Sequence, residues 1–255
     1  MRRAGFALAL AVLISACAST AEREAEDAKR HRLVETNVQL AANYLQRGQL
    51  EFAKEKLEKA LSIDPDDVSA NNTMALLQWR LRDYAAAEQH FRRAVSLEKN
   101  NGEAQNNYGV FLCERGRVEE AVKWFKRAID DPLYSTPAVA NQNAGLCLIK
   151  TGASTAAEPY FREALKINPR LAPALEQMAR ISLDQGKPLA ARGFMQRYFQ
   201  AGADTAETLW LAVRIEKALG HKNEEASYAL RLRAKFPDSP EAKRLGKKPV
   251  RAGKG

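Results

Sequence analysis

The chain has 255 residues, 45% of them hydrophobic and 28% charged, which supplies a sizeable core and excludes an intrinsically disordered protein. Its formal net charge of +9 includes Arg2 and Arg3, expected to leave with a leader, and a basic C-terminal run of Lys243, Arg244, Lys247, Lys248, Arg251 and Lys254. No aromatic-interleaved basic patch or nucleic-acid motif accompanies that charge, so lysines on solvated helix faces account for it and no nucleic-acid partner is expected.

Residues 1–16 read as a signal peptide. Arg2 and Arg3 form its positive end, and the apolar run from Ala4 to Ile14 is too short to span a bilayer. The stretch Leu13-Ile14-Ser15-Ala16-Cys17 resembles the bacterial lipobox, which makes Cys17 the expected lipidation site and mature N-terminus. The alternative is an ordinary secretory signal with a chance cysteine. Ala18, where an aspartate would imply inner-membrane retention, implies the outer membrane, and the acyl chains would anchor firmly there. Residues 17–33 are polar and charged, and read as a lipid-anchored tether or frayed helix.

From residue 34 the chain repeats. Ala53, Leu57 and Ala60 return as Ala87, Phe91 and Ala94, as Ala121, Phe125 and Ala128, and as Ala157, Phe161 and Ala164, at steps of 34, 34 and 36 residues. A looser copy follows at Ala191 and Met195, and Gly48, Arg82, Gly116, Gly152, Gly186 and Gly220 keep the same beat. Self-similarity at about 34 residues is the signature of the tetratricopeptide repeat, a helix–turn–helix unit that buries its apolar face only by stacking on neighbours. The expected fold is therefore all-α, a right-handed superhelix of six such repeats at 34–67, 68–101, 102–135, 138–171, 172–205 and 206–239. Residues 240–255 form a basic tail, expected to be disordered. Two departures stand out: an extended loop from Asp130 to Pro137, and a sixth repeat with Glu225 where its second helix should carry alanine. A degenerate terminal unit suits a cap.

First helices of such repeats line a concave face. The residues expected to form a partner groove there are Val38, Leu45, Asn72, Leu76, Trp79, Asn106 and Val110, with Arg80 on the same face. An apolar groove with flanking amides suits an extended or helical peptide. The competing reading makes Leu45 and Leu76 plain inter-repeat core. Cys113 and Cys147 lie late in adjacent first helices. After an export signal, two remaining cysteines predict a disulfide, and two buried thiols are the alternative. His31, His90 and His221 are scattered, with no His-x-x-x-His, Cys-x-x-Cys, phosphate loop or Gly-x-Ser-x-Gly elbow. No enzyme activity, metal, cofactor or small-molecule substrate is expected.

Three stretches carry a closer resemblance. They are Asn106 to Cys113; Asp131-Pro132-Leu133-Tyr134 running on to Asn143 through Cys147; and Trp210 to Gly220, followed by Tyr228 and Phe236-Pro237-Asp238-Ser239. With the lipobox, these make the chain resemble the type IV pilus biogenesis/stability lipoproteins, the pilotins of the pilus secretin. The resemblance implies a scaffold on the periplasmic side of the outer membrane, with the secretin and other pilus assembly proteins as partners. It would promote localisation or multimer assembly of the secretin. In that family the first repeats are thought to supply an apolar partner groove. A second possibility is an adaptor that recruits periplasmic cell-wall enzymes such as peptidoglycan hydrolases.

Overall fold

The computed structural model describes residues 4–246, with side chains from residue 22 onward. Among the described residues there are thirteen helices and no strands. They fall into two compact units, divided after Phe111.

The first unit contains α1 (Ala4–Gln46), α2 (Leu50–Ile63), α3 (Val68–Arg80), α4 (Tyr84–Leu97) and the larger part of α5 (Gly102–Glu114). The second contains the end of α5, then α6 (Val118–Asp130), α7 (Pro137–Ile149), α8 (Ser154–Ile167), α9 (Ala172–Asp184), α10 (Pro188–Ala201), α11 (Ala206–Leu219), α12 (Lys222–Lys235) and α13 (Pro240–Arg244).

The recurring triplet explains the pairing. Ala53, Leu57 and Ala60 share one face of α2, and with their counterparts in α4, α6 and α8 are at most 1% exposed. The alanines let neighbouring helices approach, and each central Leu or Phe fills the space between them, its burial contributing about 1.5–3 kcal/mol. Five of the six turns between paired helices carry a glycine with φ between 70° and 77°. The sixth carries Arg82 at φ 65°, the sole non-glycine with positive φ among the described residues. Such a position strains a side chain but suits glycine.

Loops between repeats are held by a device that the apolar pattern does not reveal. Two residues after the central position of the second helix, an arginine reaches back to the loop before its own first helix. In the first unit Arg93 pairs with Asp66. In the second, Arg197 donates to the Pro169 carbonyl at 2.8 Å and Arg231 to the Asp204 carboxylate at 2.6 Å. Asp67 and Asp83 cap α3 and α4, accepting from Ala70 N and Ala86 N at 2.6 and 3.0 Å.

Two boundaries differ from the sequence reading. The first helix does not begin near residue 34: α1 is continuous from Ala4 to Gln46, and residues 22–33 are exposed on it. The stretch 18–33 has neither glycine nor proline and is rich in Ala, Glu, Arg and Lys, so nothing interrupts a helix there. Arg30 fastens it to the end of α2, donating to the Ile63 carbonyl at 2.9 Å. At the other end, the tail expected to be disordered from residue 240 starts with α13. Ser239 caps that helix, Pro240 opens it, and Ala242 is buried against Leu209 and Leu232. The reason lies in the sixth repeat: α12 buries only Leu232, leaving apolar surface on α11 that α13 covers. Residues 247–255 lie outside the described residues.

Candidate functional site

In the first unit, the last turn of α1 and the last turns of α3 enclose an open cavity of about 390 Å³ lined by Leu45, Gln46, Leu76, Trp79 and Arg80. The spacing 76, 79, 80 places the three α3 residues on one helix face. Each is fixed differently. Leu45 is 8% exposed and joins the core of Ala41, Ala53, Leu57, Met74 and Leu77, so it forms the floor. Trp79 is half-buried, its indole edge-on to Phe91 and Phe111 with ring centroids 6.4 and 5.6 Å away at 72° and 90°. Arg80 donates to the Leu45 carbonyl, tying α3 to the end of α1. An apolar floor and wall are thus held rigid, with a polar rim of Gln46 and Arg80.

Of the seven expected groove residues, Leu45, Leu76 and Trp79 line this cavity. Leu45 is at once core and lining, so the two readings of it are not exclusive. Val38 is not part of the cavity: it packs with Val34, Ala60 and Ala70 in a separate cluster. Asn72 and Asn106 are buried at 5% and 7% and form an amide relay, since Asn107 Nδ2 donates to Asn72 Oδ1 at 3.4 Å and Asn106 Nδ2 to Asn107 Oδ1 at 3.5 Å. Val110 is half-buried and does not line the cavity. Gln46 went unnoticed in the sequence; its one signal is its place directly after Leu45.

In the second unit a disulfide joins Cys113 at the end of α5 to Cys147 in α7, with Cα atoms 5.8 Å apart. The ion pair Lys150–Glu114 adds a second tie nearby, from the last residue of α5 to the C-cap of α7. The extended loop between α6 and α7 is ordered around Asp131, which is buried and accepts from Leu133 N at 2.9 Å. Leu133 itself is 88% exposed.

The histidines have structural neighbours. His90 Nδ1 lies 3.0 Å from Asn71 Oδ1, and burial lowers its pKa. His221 Nδ1 lies 2.9 Å from the buried Glu216 carboxylate. Among the described residues no group of three or more His, Cys, Asp and Glu side chains is placed to hold a metal, and no helix is long and apolar enough to cross a membrane. The Cys17 side chain lies outside the described residues.

Paired helices with an alanine-lined interface and an open groove define a tetratricopeptide-repeat protein. Tetratricopeptide-repeat family models match residues 38–96, 72–135 and 138–171. The type IV pilus assembly protein PilF of Pseudomonas aeruginosa is 30% identical over 241 residues, spanning 94% of this chain and 96% of PilF. Its solved structure superposes with a TM-score of 0.79 at 30% identity, covering 85% of this chain and 97% of that one. The structure of PilW, a widely conserved type IV pilus biogenesis factor, superposes with a TM-score of 0.72 at 33% identity, covering 83% and 97%. The chain belongs to this family of tetratricopeptide-repeat type IV pilus assembly proteins.

Proposed function

We propose that this protein is a non-enzymatic outer-membrane lipoprotein that supports type IV pilus biogenesis or stability by promoting localisation or multimer assembly of the pilus secretin. The observation that carries the reading is the relation to PilF over nearly the full length of both chains. The cavity between α1 and α3 gives that scaffold a place to hold a partner segment. Repeat proteins of this kind bind by presenting a preformed surface, which limits the ordering cost to the partner segment alone. In this reading Cys17 carries the lipid, the charged part of α1 stands the repeats off the membrane, and Leu45, Leu76 and Trp79 receive the secretin or another pilus assembly protein.

The test is a deletion strain complemented with the wild type, with Cys17→Ser, or with Trp79→Ala. Secretin in outer-membrane fractions and its heat-resistant multimers are measured alongside surface pili. Loss of multimers or pili on deletion, restored by the wild type alone, is the expected result. Normal multimers and pili with altered cell-wall processing would instead favour an adaptor for peptidoglycan hydrolases and overturn the proposal.

A further inference from the structure

The cavity adjoins a cluster of arginines that form no ion pair among the described residues. Arg47 follows the cavity-lining Gln46 at the end of α1, and Arg82 lies in the turn just after Arg80. All three arginines are exposed. Arg80 reaches the Leu45 carbonyl, while the side chains of Arg47 and Arg82 make no ion pair or hydrogen bond among the described residues. Other arginines of the same unit are committed elsewhere, Arg92 to Glu88 and Arg93 to Asp66. The acid of this turn, Asp83, accepts from Ala86 N at 3.0 Å to cap α4 and pairs with none of the three arginines. At the corresponding ends of α5 and α9 an acid instead pairs with a cation of the next first helix or its cap, Glu114 with Lys150 and Asp184 with Arg214.

We propose that the cavity takes an extended segment of a partner protein in which one leucine-sized or aromatic side chain is flanked on both sides by aspartate or glutamate. The inference rests on the reading of this cavity as the partner site. A volume of about 390 Å³ lies toward the small end of ordinary binding pockets, roughly 300–1,000 Å³, and admits anchoring side chains rather than a folded element. Arg47 and Arg82 follow the cavity-lining ends of two neighbouring helices, α1 and α3, and packed helices lie about 8–10 Å apart. An extended chain rises about 3.3 Å per residue, so acids two or three residues apart, with the apolar anchor between them, span the distance. Rim charge of this kind confers specificity and speeds encounter.

The full chain is presented with a positional-scanning library of hexapeptides, acetylated and either amidated or left with a free C-terminal carboxylate, with leucine or, as the control, alanine fixed at the third position. Asp and Glu are expected to enrich by about tenfold over Asn and Gln at the neighbouring positions, equivalent to about 1.4 kcal/mol. Raising the salt should weaken that preference. The double variant Arg47→Gln/Arg82→Gly should abolish it while retaining leucine-dependent capture. Neither residue has a side-chain partner to lose, and glycine stands at the position of Arg82 in the other turns. Leucine-dependent capture without acid preference would overturn the inference and leave the cavity as the partner site. Capture of only those peptides with a free C-terminal carboxylate would also overturn it. No capture by the wild type would sink both readings.

Discussion

Gly145 and Gly193 are both helical glycines of the second unit, and alanine should act on them in opposite directions. An ideal Cβ at Gly145 would sit 2.7 Å from Cε1 and Cζ of Phe161 and 3.0 Å from Cδ1. That ring is fully buried in a cluster with Ala157, Ala164, Leu165 and Leu175, so it has nowhere to retreat. Overpacking of this kind costs about 1–3 kcal/mol, against a gain in helix propensity of about 1 kcal/mol from replacing glycine. Gly145→Ala should therefore destabilise by up to about 2 kcal/mol. At Gly193 an added Cβ meets nothing within 4 Å, so only the propensity gain remains. Because that gain is shared, the difference between the two variants isolates the clash with Phe161. Urea unfolding of each variant, accepted where the m-value matches the wild type, reads the difference directly. A third arm adds Phe161→Leu: in the Gly145→Ala background this change should cost less than in the wild type, a coupling measured by the double-mutant cycle. Equal stability of the two alanine variants, or no coupling to Phe161, would refute the argument that Gly145 exists to admit this ring.

Replacing Cys113 and Cys147 together by serine, or reducing the bridge, should destabilise by up to about 4 kcal/mol on the chain-entropy model for a loop of this length. Urea unfolding of the second unit with and without reductant checks this. Arg82→Gly should stabilise by about 0.5 kcal/mol, since relief of the left-handed conformation outweighs the entropy that glycine loses on folding; thermal unfolding of the variant reads it. Burial holds His90 neutral and its pKa below the ordinary value of about 6.5. The unfolded chain therefore takes up the proton first as pH falls. The stability from His90 is complete above that value and declines as pH drops toward the folded-state pKa. NMR titration of His90, and a flatter pH–stability profile for His90→Gln below about pH 6.5, are the expected results.

The helix pairs could be read in the sequence because close packing demands a small residue at fixed intervals. Ala53 and Ala60 have no room to be anything larger, and the same constraint recurs at every copy that is 0–1% exposed. Arg82 was visible as an exception for a related reason: glycine stands at all the equivalent turns, so the beat marks the backbone conformation even where the residue differs. Contacts along a helix were harder. Val38 and Leu45 are seven residues apart on one stripe of α1, so periodicity cannot separate them. They lie about 10 Å apart along the axis. At the upper level Ala60 and Ala70 close over Val38, and at the lower level the helices end and leave Leu45 open to the cavity. Whether a first-helix residue is core or groove thus depends on its height in the pair, which a face-only reading omits.

Height matters at Cys113 and Cys147 too, and here the sequence shows it. The local repeat is 36 residues but the cysteines are 34 apart, so they occupy different rungs of α5 and α7. Cys147 stands at the rung of Phe111, and the rung of Cys113 is filled by Ile149. The 34-residue spacing matches the ordinary period, but the 36-residue local step already places the cysteines at non-equivalent positions in the sequence; the two extra residues fall in the loop ordered by Asp131 rather than in either helix. A bridge between unequal rungs therefore fixes the height of the last residues of α5, Leu112–Glu114, against α7 within the second unit. Deleting two residues from the 132–136 loop, which would restore a 34-residue step, should lose the register that lets these thiols meet. Alkylation of both cysteines in the unreduced deletion variant, with neither modified in the wild type, is the expected result; an intact bridge in the shortened chain would show that the loop does not set the register.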